Sequence, residues 1–178
     1  MLFSTPPATA DDIRLFCQRF NEGIRVEYKS AFDRNVRQSS SKMLSAFANT
    51  LGGVAIIGVN ATNGVPQAPI EGFEDAGEEW ALILEQIGLQ GINPPILPKV
   101  TIVQSDVPGK CFLVIEVEES PEAPHAIENQ TRVYVRTGNA ANPYELAGVD
   151  LILERFTRRR ALEESRKRIV GRQFNVSV

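Results

Sequence analysis

Ser45-Ala46-Phe47-Ala48-Asn49-Thr50-Leu51-Gly52-Gly53, followed at once by Val54-Ala55-Ile56-Ile57-Gly58-Val59-Asn60, joins the end of a helix to a strand through a glycine pair. Met43, Leu44, Phe47, Ala48 and Leu51 recur at three and four residues and so share one helix face. Ser39 or Ser40 is the expected cap of that helix, after a polar loop from Phe32 to Gln38. Gly52 or Gly53 takes the left-handed position beyond its last turn. Val54 to Val59 is nearly unbroken apolar sequence, the pattern of a central strand covered on both faces. Asn49 and Thr50 read as groups that cap the helix end, and Gly58 as a point of close packing. With Gly52, Gly53 and Asn60, residues Asn49 and Gly58 also form the candidate backbone turns of a binding site.

On the N-terminal side, Thr9 with Asp12 three residues on has the form of a capping box. Ile13, Phe16, Cys17 and Phe20 follow as one apolar stripe, so the first helix is expected from about Ala10 to Phe20. Ile24, Val26 and Tyr28 then alternate with Arg25, Glu27 and Lys29, which predicts a half-buried strand whose charged trio faces outward.

On the C-terminal side, Asn63-Gly64 is a turn signal, with prolines beyond it that argue against a long hairpin. A helix is expected from Glu74 to Gly88, followed by two strands, about Lys99 to Gln104 and Cys111 to Val117, joined through Asp106 to Lys110. Thr131 to Arg136 reads as a last strand, with Val133 and Val135 on one side and Arg132, Tyr134 and Arg136 on the other. Asn142-Pro143-Tyr144-Glu145 has the residues of a helix start, and the helix is expected to run to about Arg168 through Arg158-Arg159-Arg160 and Arg166-Lys167-Arg168. Division near residue 142 therefore leaves a domain of residues 1–142 and a basic helix with a strand-like tail over residues 143–178. That tail points to oligomerisation or to a further domain.

The totals bound the function. A chain of 178 residues, 43% hydrophobic and 23% charged, supports one globular domain with its own core. No apolar run approaches the ~20 residues of a membrane span and the first residues lack a signal pattern, so a cytoplasmic protein with no membrane partner is expected. Cys17 and Cys111 stand far apart and His125 is the only histidine, which removes the ligand sets of zinc sites and leaves His125 as a loop residue with a structural hydrogen bond. Walker A, GxGxxG and GxSxG motifs are absent from the sequence. Residues 1–150 carry a net charge of −8 and residues 151–178 one of +5, which directs attention to the basic end for an anionic partner.

Taken in order, Glu22-x4-Glu27-Tyr28-Lys29, the AFANT-x-GG piece with Ile57-Gly58-Val59-Asn60, Ala123-Pro124-His125, and Val133-Tyr134-Val135-Arg136-Thr137-Gly138 resemble the Schlafen AlbA-like domain over about residues 15 to 140. The resemblance implies an α+β fold, an AlbA-like mixed β-sheet packed with helices, to which the long basic C-terminal helix is added. It also implies DNA or RNA as partner. Schlafen nucleases cleave RNA with three carboxylates. Two of these fall on Glu22 and Glu27, the candidate catalytic and metal-holding residues for Mg²⁺ or Mn²⁺. Counting without gaps from Gly53, the third falls on Ala61, beside Asn60. Two carboxylates and an amide are a poorer cage for a divalent ion, so binding is favoured over cutting.

Nucleic-acid binding, regulatory or defence-related, is thus the leading expectation, through Lys29, Arg132, Tyr134, Arg136, Arg158 and Arg159. Guanidinium groups would meet phosphates, and the tyrosine would stack on a base. A metal-dependent ribonuclease is the second reading. A nucleotide (ATP)-binding or oligomerisation module, assembled as a homo-oligomer or with a partner protein, is the third.

Overall fold

A computed structural model describes residues 2–3, 5–75, 79–127, 132–137, 145–146, 157–158, 161 and 164–165. Its centre is a mixed sheet in the order β1 (Val26–Lys29), β2 (Gly53–Ile57), β7 (Lys110–Val117), β5 (Phe73–Glu74), with β6 (Lys99–Gln104) also paired to β7. β1 runs parallel to β2, with Val26 beside Val54 and Lys29 beside Ile57. β7 lies antiparallel to β2 and β6. A parallel pair needs a crossover, and α2 (Arg34–Ala48) supplies it.

Residues alternate across this sheet. Val26, Tyr28, Val54, Ile56, Phe112 and Val114 pack on α1 (Ala10–Arg19), whereas Ala55, Ile57, Leu113 and Ile115 pack on α2 and α3 (Trp80–Gly91). The expected near-continuous burial of the central strand holds: all of β2 is buried. The capping box of α1 also forms, with Thr9 N–H and Thr9 Oγ1 donating to the Asp12 carboxylate at 2.9 Å. The fold is α+β, as expected.

Three local expectations are corrected. α2 begins at Arg34, because Asp33 rather than a serine caps it, accepting from Val36 N–H at 2.8 Å. The polar run that reads as a loop is a helical turn exposed to water. α3 begins at Trp80 and runs to Gly91, later than the acidic residues before it indicate. Glu145–Leu146, expected inside the first turn of a helix, form instead a short strand, β10, antiparallel to β9 (Arg132–Val135). β8 (Ala126–Ile127) pairs with the other edge of β9. Thr157, Arg158, Ala161, Glu164 and Ser165 are helical and exposed; the rest of the expected basic helix lies outside the described residues. Between β2 and β5, Ala61–Thr62 (β3) and Val65–Pro66 (β4) make a minimal hairpin whose turn has φ of 50° at Asn63 and 78° at Gly64, the geometry that Asn-Gly favours. No helix among the described residues is long and apolar enough to cross a membrane.

Candidate functional site

Among the described residues β1 is an edge strand, and one of its faces meets the α2 side of the sheet. Glu27 lies on that face beside Ala55 and is 2% exposed. The expected outward charged trio is therefore corrected. Strand alternation holds, but the second face of β1 is covered rather than wet. The cover comes from the end of β9, where Arg136 is buried as well. Its Nη1 donates to Glu27 Oε2 at 2.8 Å, and its Nη2 donates to the carbonyl oxygens of Gly23 and Val26 at 2.5 and 3.1 Å. The guanidinium sits 4.6 Å from the centre of the Phe47 ring. Lys29, half-buried, places Nζ 2.5 Å from Glu27 Oε1, so each oxygen of this carboxylate faces a cation.

Glu22 lies just before the strand, the position from which its carboxylate can approach Glu27. Its Oε1 accepts the Tyr28 backbone N–H at 2.9 Å. Burial pushes the Glu22 pKa up, the Tyr28 N–H works against that shift, and the nearby Glu27 charge adds to it; Lys29 and Arg136 lower it. Glu22, Glu27, Lys29 and Arg136 therefore share one electrostatic neighbourhood.

Asn49 does more than end α2. Its Nδ2 donates to the carbonyl oxygens of His125 and Tyr134 at 2.8 and 2.9 Å, and its Oδ1 accepts the His125 N–H at 2.7 Å. Thr50 Oγ1 accepts the Arg136 N–H at 2.9 Å. The Asn-Thr pair therefore ties β9 and the loop before β8 to the end of α2. His125 is buried, with Nδ1 2.7 Å from the Pro94 carbonyl oxygen, which is the structural role expected of it.

The glycines serve packing. Gly52 has φ of +67°, and a Cβ there would lie 2.7 Å from Glu119 N and Val117 O. Gly58 has φ of +102° and lies against Gly72 and Phe112, while a Cβ on Gly53 would strike the Phe47 ring. Asn60 is exposed at the start of the small hairpin, where its carbonyl oxygen accepts from Gln67 N–H at 2.8 Å.

The cationic and aromatic residues of β9 divide. Arg132 is exposed, whereas Tyr134 is 6% exposed and Arg136 4%. Tyr134 is therefore not placed to stack on a base, nor Arg136 to meet a phosphate. The Tyr134 ring instead carries Lys42 Nζ 4.6 Å from its centre, and its hydroxyl accepts from Arg132 Nη1 at 3.4 Å. Lys42 escapes notice in the sequence because it lies on the polar side of α2. A groove of about 380 Å³ adjoins it, lined by Asn35, Gln38, Ser39, Ser41, Lys42 and Ile127. Arg34 and Arg37 are exposed on the first turns of the same helix. Arg158 is exposed, and Arg159 lies outside the described residues.

A family model described as Schlafen, AlbA_2 matches residues 22–145, which takes in the β1, α2, β2 and β9 residues just described. The chain belongs to this family. Among solved structures, it is similar to the DIP2311 protein of Corynebacterium diphtheriae, at 20% identity with a TM-score of 0.49, covering 77% of this chain and 26% of that one. The chain thus spans about a quarter of the DIP2311 chain. It is also similar to the N-terminal domain of a protein from Nitrosomonas europaea described as related to the ATP-dependent DNA helicase RecG. That likeness has 25% identity and a TM-score of 0.49, covering 80% of this chain and 90% of that domain. No curated protein matches the chain significantly.

The resemblance to Schlafen nucleases implies Mg²⁺ or Mn²⁺ on Glu22, Glu27 and a third acid. Such ions require several oxygen ligands directed at one point. Here both Glu27 oxygens face cations, Glu22 Oε1 faces an N–H, and Ala61 brings a methyl group. These residues do not fit a divalent ion in this arrangement, and no group of three or more His, Cys, Asp or Glu among the described residues fits one. Burial also pushes the Cys17 and Cys111 thiols up to about 11, which keeps them protonated at neutral pH and poor nucleophiles.

Proposed function

We propose that this Schlafen AlbA_2 chain is a nucleic-acid-binding module whose contact surface is the polar face of α2 together with the outer side of β9. One observation carries the reading: Lys42 and Arg132 converge on Tyr134 beside a groove lined by amides and hydroxyls. Buried tyrosine holds the two cationic groups in place, and Asn35, Gln38 and Ser41 supply donors of the kind that meet phosphate oxygens, the Ser39 hydroxyl being given to Val36 O at 3.2 Å. Arg34 and Arg37 extend the basic surface along the helix. The arrangement favours contacts to the sugar-phosphate backbone over stacking on bases, since Tyr134 is buried.

The Glu22 and Glu27 cluster favours holding over cutting. Both Glu27 oxygens are neutralised by cations inside the domain, and a scissile phosphate would have to displace Arg136 or Lys29 to reach that acid.

Fluorescence anisotropy with labelled single- and double-stranded DNA and RNA tests the proposal. Binding at about 50 mM salt should weaken steeply as salt rises, and Lys42→Ala and Arg132→Ala should each lower the slope of log affinity against log salt by about one. A chain that binds none of the four at low salt, or whose two variants bind like the parent, overturns it.

A further inference from the structure

β7 leaves the sheet through Glu116, Val117, Glu118 and Glu119, and a groove opens on either side of this exit. One of about 280 Å³ also takes in Arg25, Leu51 and Gly52; the other, of about 350 Å³, takes in Leu97, Lys99 and Ser120. Glu118 and Glu119 are exposed. Glu116 is 5% exposed, yet neither of its carboxylate oxygens has a hydrogen bond among the described residues. Lys99 Nζ lies 3.2 Å from Oε1 and neutralises Glu116, and one ammonium leaves the carboxylate with acceptor capacity to spare. A carboxylate buried in this way calls for a donor, and both grooves lead to it.

A candidate donor already stands at the edge. Arg158, on a helical residue, brings Nη1 to 3.9 Å from Glu119 Oε1. It opens the arginine-rich run Arg158-Arg159-Arg160 and Arg166-Lys167-Arg168, in the part of the chain whose net charge is +5 against −8 for the remainder. Guanidinium suits the site better than ammonium, because its planar fork can meet two carboxylate oxygens together.

We infer that the acidic exit of β7 is a docking site for this chain's own arginine-rich segment, residues 158–168, whose guanidinium groups meet Glu119, Glu118 and the buried Glu116. This inference stands without the nucleic-acid reading. Where that reading also holds, a released segment adds its positive charge to the phosphate contacts of α2 and β9, so docking restrains binding.

Hydrogen exchange of the full chain, read by mass spectrometry over residues 151–168, tests the docking. Each exposed pair contributes weakly, so Glu118→Gln with Glu119→Gln should speed exchange in this segment about five-fold. Raising salt to about 0.5 M should do the same in the parent chain, because exposed pairs are screened. The swap of Glu119→Arg with Arg158→Glu should restore protection that either change alone removes. Exchange that is the same in parent and variants overturns the inference. So does protection that vanishes on dilution in step with dissociation of a dimer in sedimentation, since docking would then join two copies. Anisotropy on these variants reads the proposed function separately: tighter nucleic-acid binding on loss of docking supports both, and no binding counts against the function alone.

Discussion

Arg136 reaches back 109 residues to Glu27, donating from Nη1 to Oε2 at 2.8 Å while its other terminal nitrogen holds the Gly23 and Val26 carbonyl oxygens. The pair fastens the end of β9 to the edge of the main sheet. Removing one partner leaves the other charge buried, so Glu27→Ala should cost about 3 to 5 kcal/mol in urea unfolding. Glu27→Gln keeps an acceptor for the guanidinium and should cost less. Loss of activity in Glu27→Ala is therefore no sign of catalysis unless the variant is shown to be folded.

Asn49 offers a second test. Replacement by alanine strips partners from the His125 N–H and from the carbonyl oxygens of His125 and Tyr134, all joined to it within 2.9 Å. The cost should be about 3 kcal/mol, since unmet buried polar groups are penalised individually. Hydrogen exchange should rise in β8 and β9 more than in β2 and β7. Uniform loss of protection would show that Asn49 acts only as a helix cap.

Glu22 should respond to pH. Its pKa is raised in the folded chain, chiefly by burial, so ionisation is harder in the folded than in the unfolded state. The stability it contributes is full below the unfolded carboxylate range and is lost as pH rises through the folded value. Glu22→Gln should then raise the melting temperature relative to the parent more at pH 7 than at pH 4. Equal differences at both pH values would contradict this assignment.

Much of the fold was legible because its signals are local. The Thr9 and Asp12 cap, the paired strands β6 and β7, and the left-handed Gly52 depend on residues within a few positions of each other. The site was harder to read because its partners are distant. Alternation in Ile24 to Lys29 correctly separates two faces, yet nothing nearby announces that Arg136 will cover the Glu27 face. Tyr134 and Arg136 likewise read as an outward pair until α2 is placed beneath them. The start of α2 is obscure for another reason: Arg34 to Ser41 points largely to water, so apolar periodicity is faint there and Asp33 is the one local sign of a cap.

The outer edge of β1 bears on assembly. Tyr28 N–H is taken by the Glu22 carboxylate, and Val26 O by Gly23 N–H and the Arg136 guanidinium. Two side chains and the Gly23 N–H thus occupy the backbone groups through which another chain could add a strand. Among the described residues, β6 pairs only with β7, and its other edge carries no such plugs. A partner that extends this sheet would therefore add beside β6, because at β1 the Glu22 carboxylate and the Arg136 guanidinium already fill the places its backbone would take.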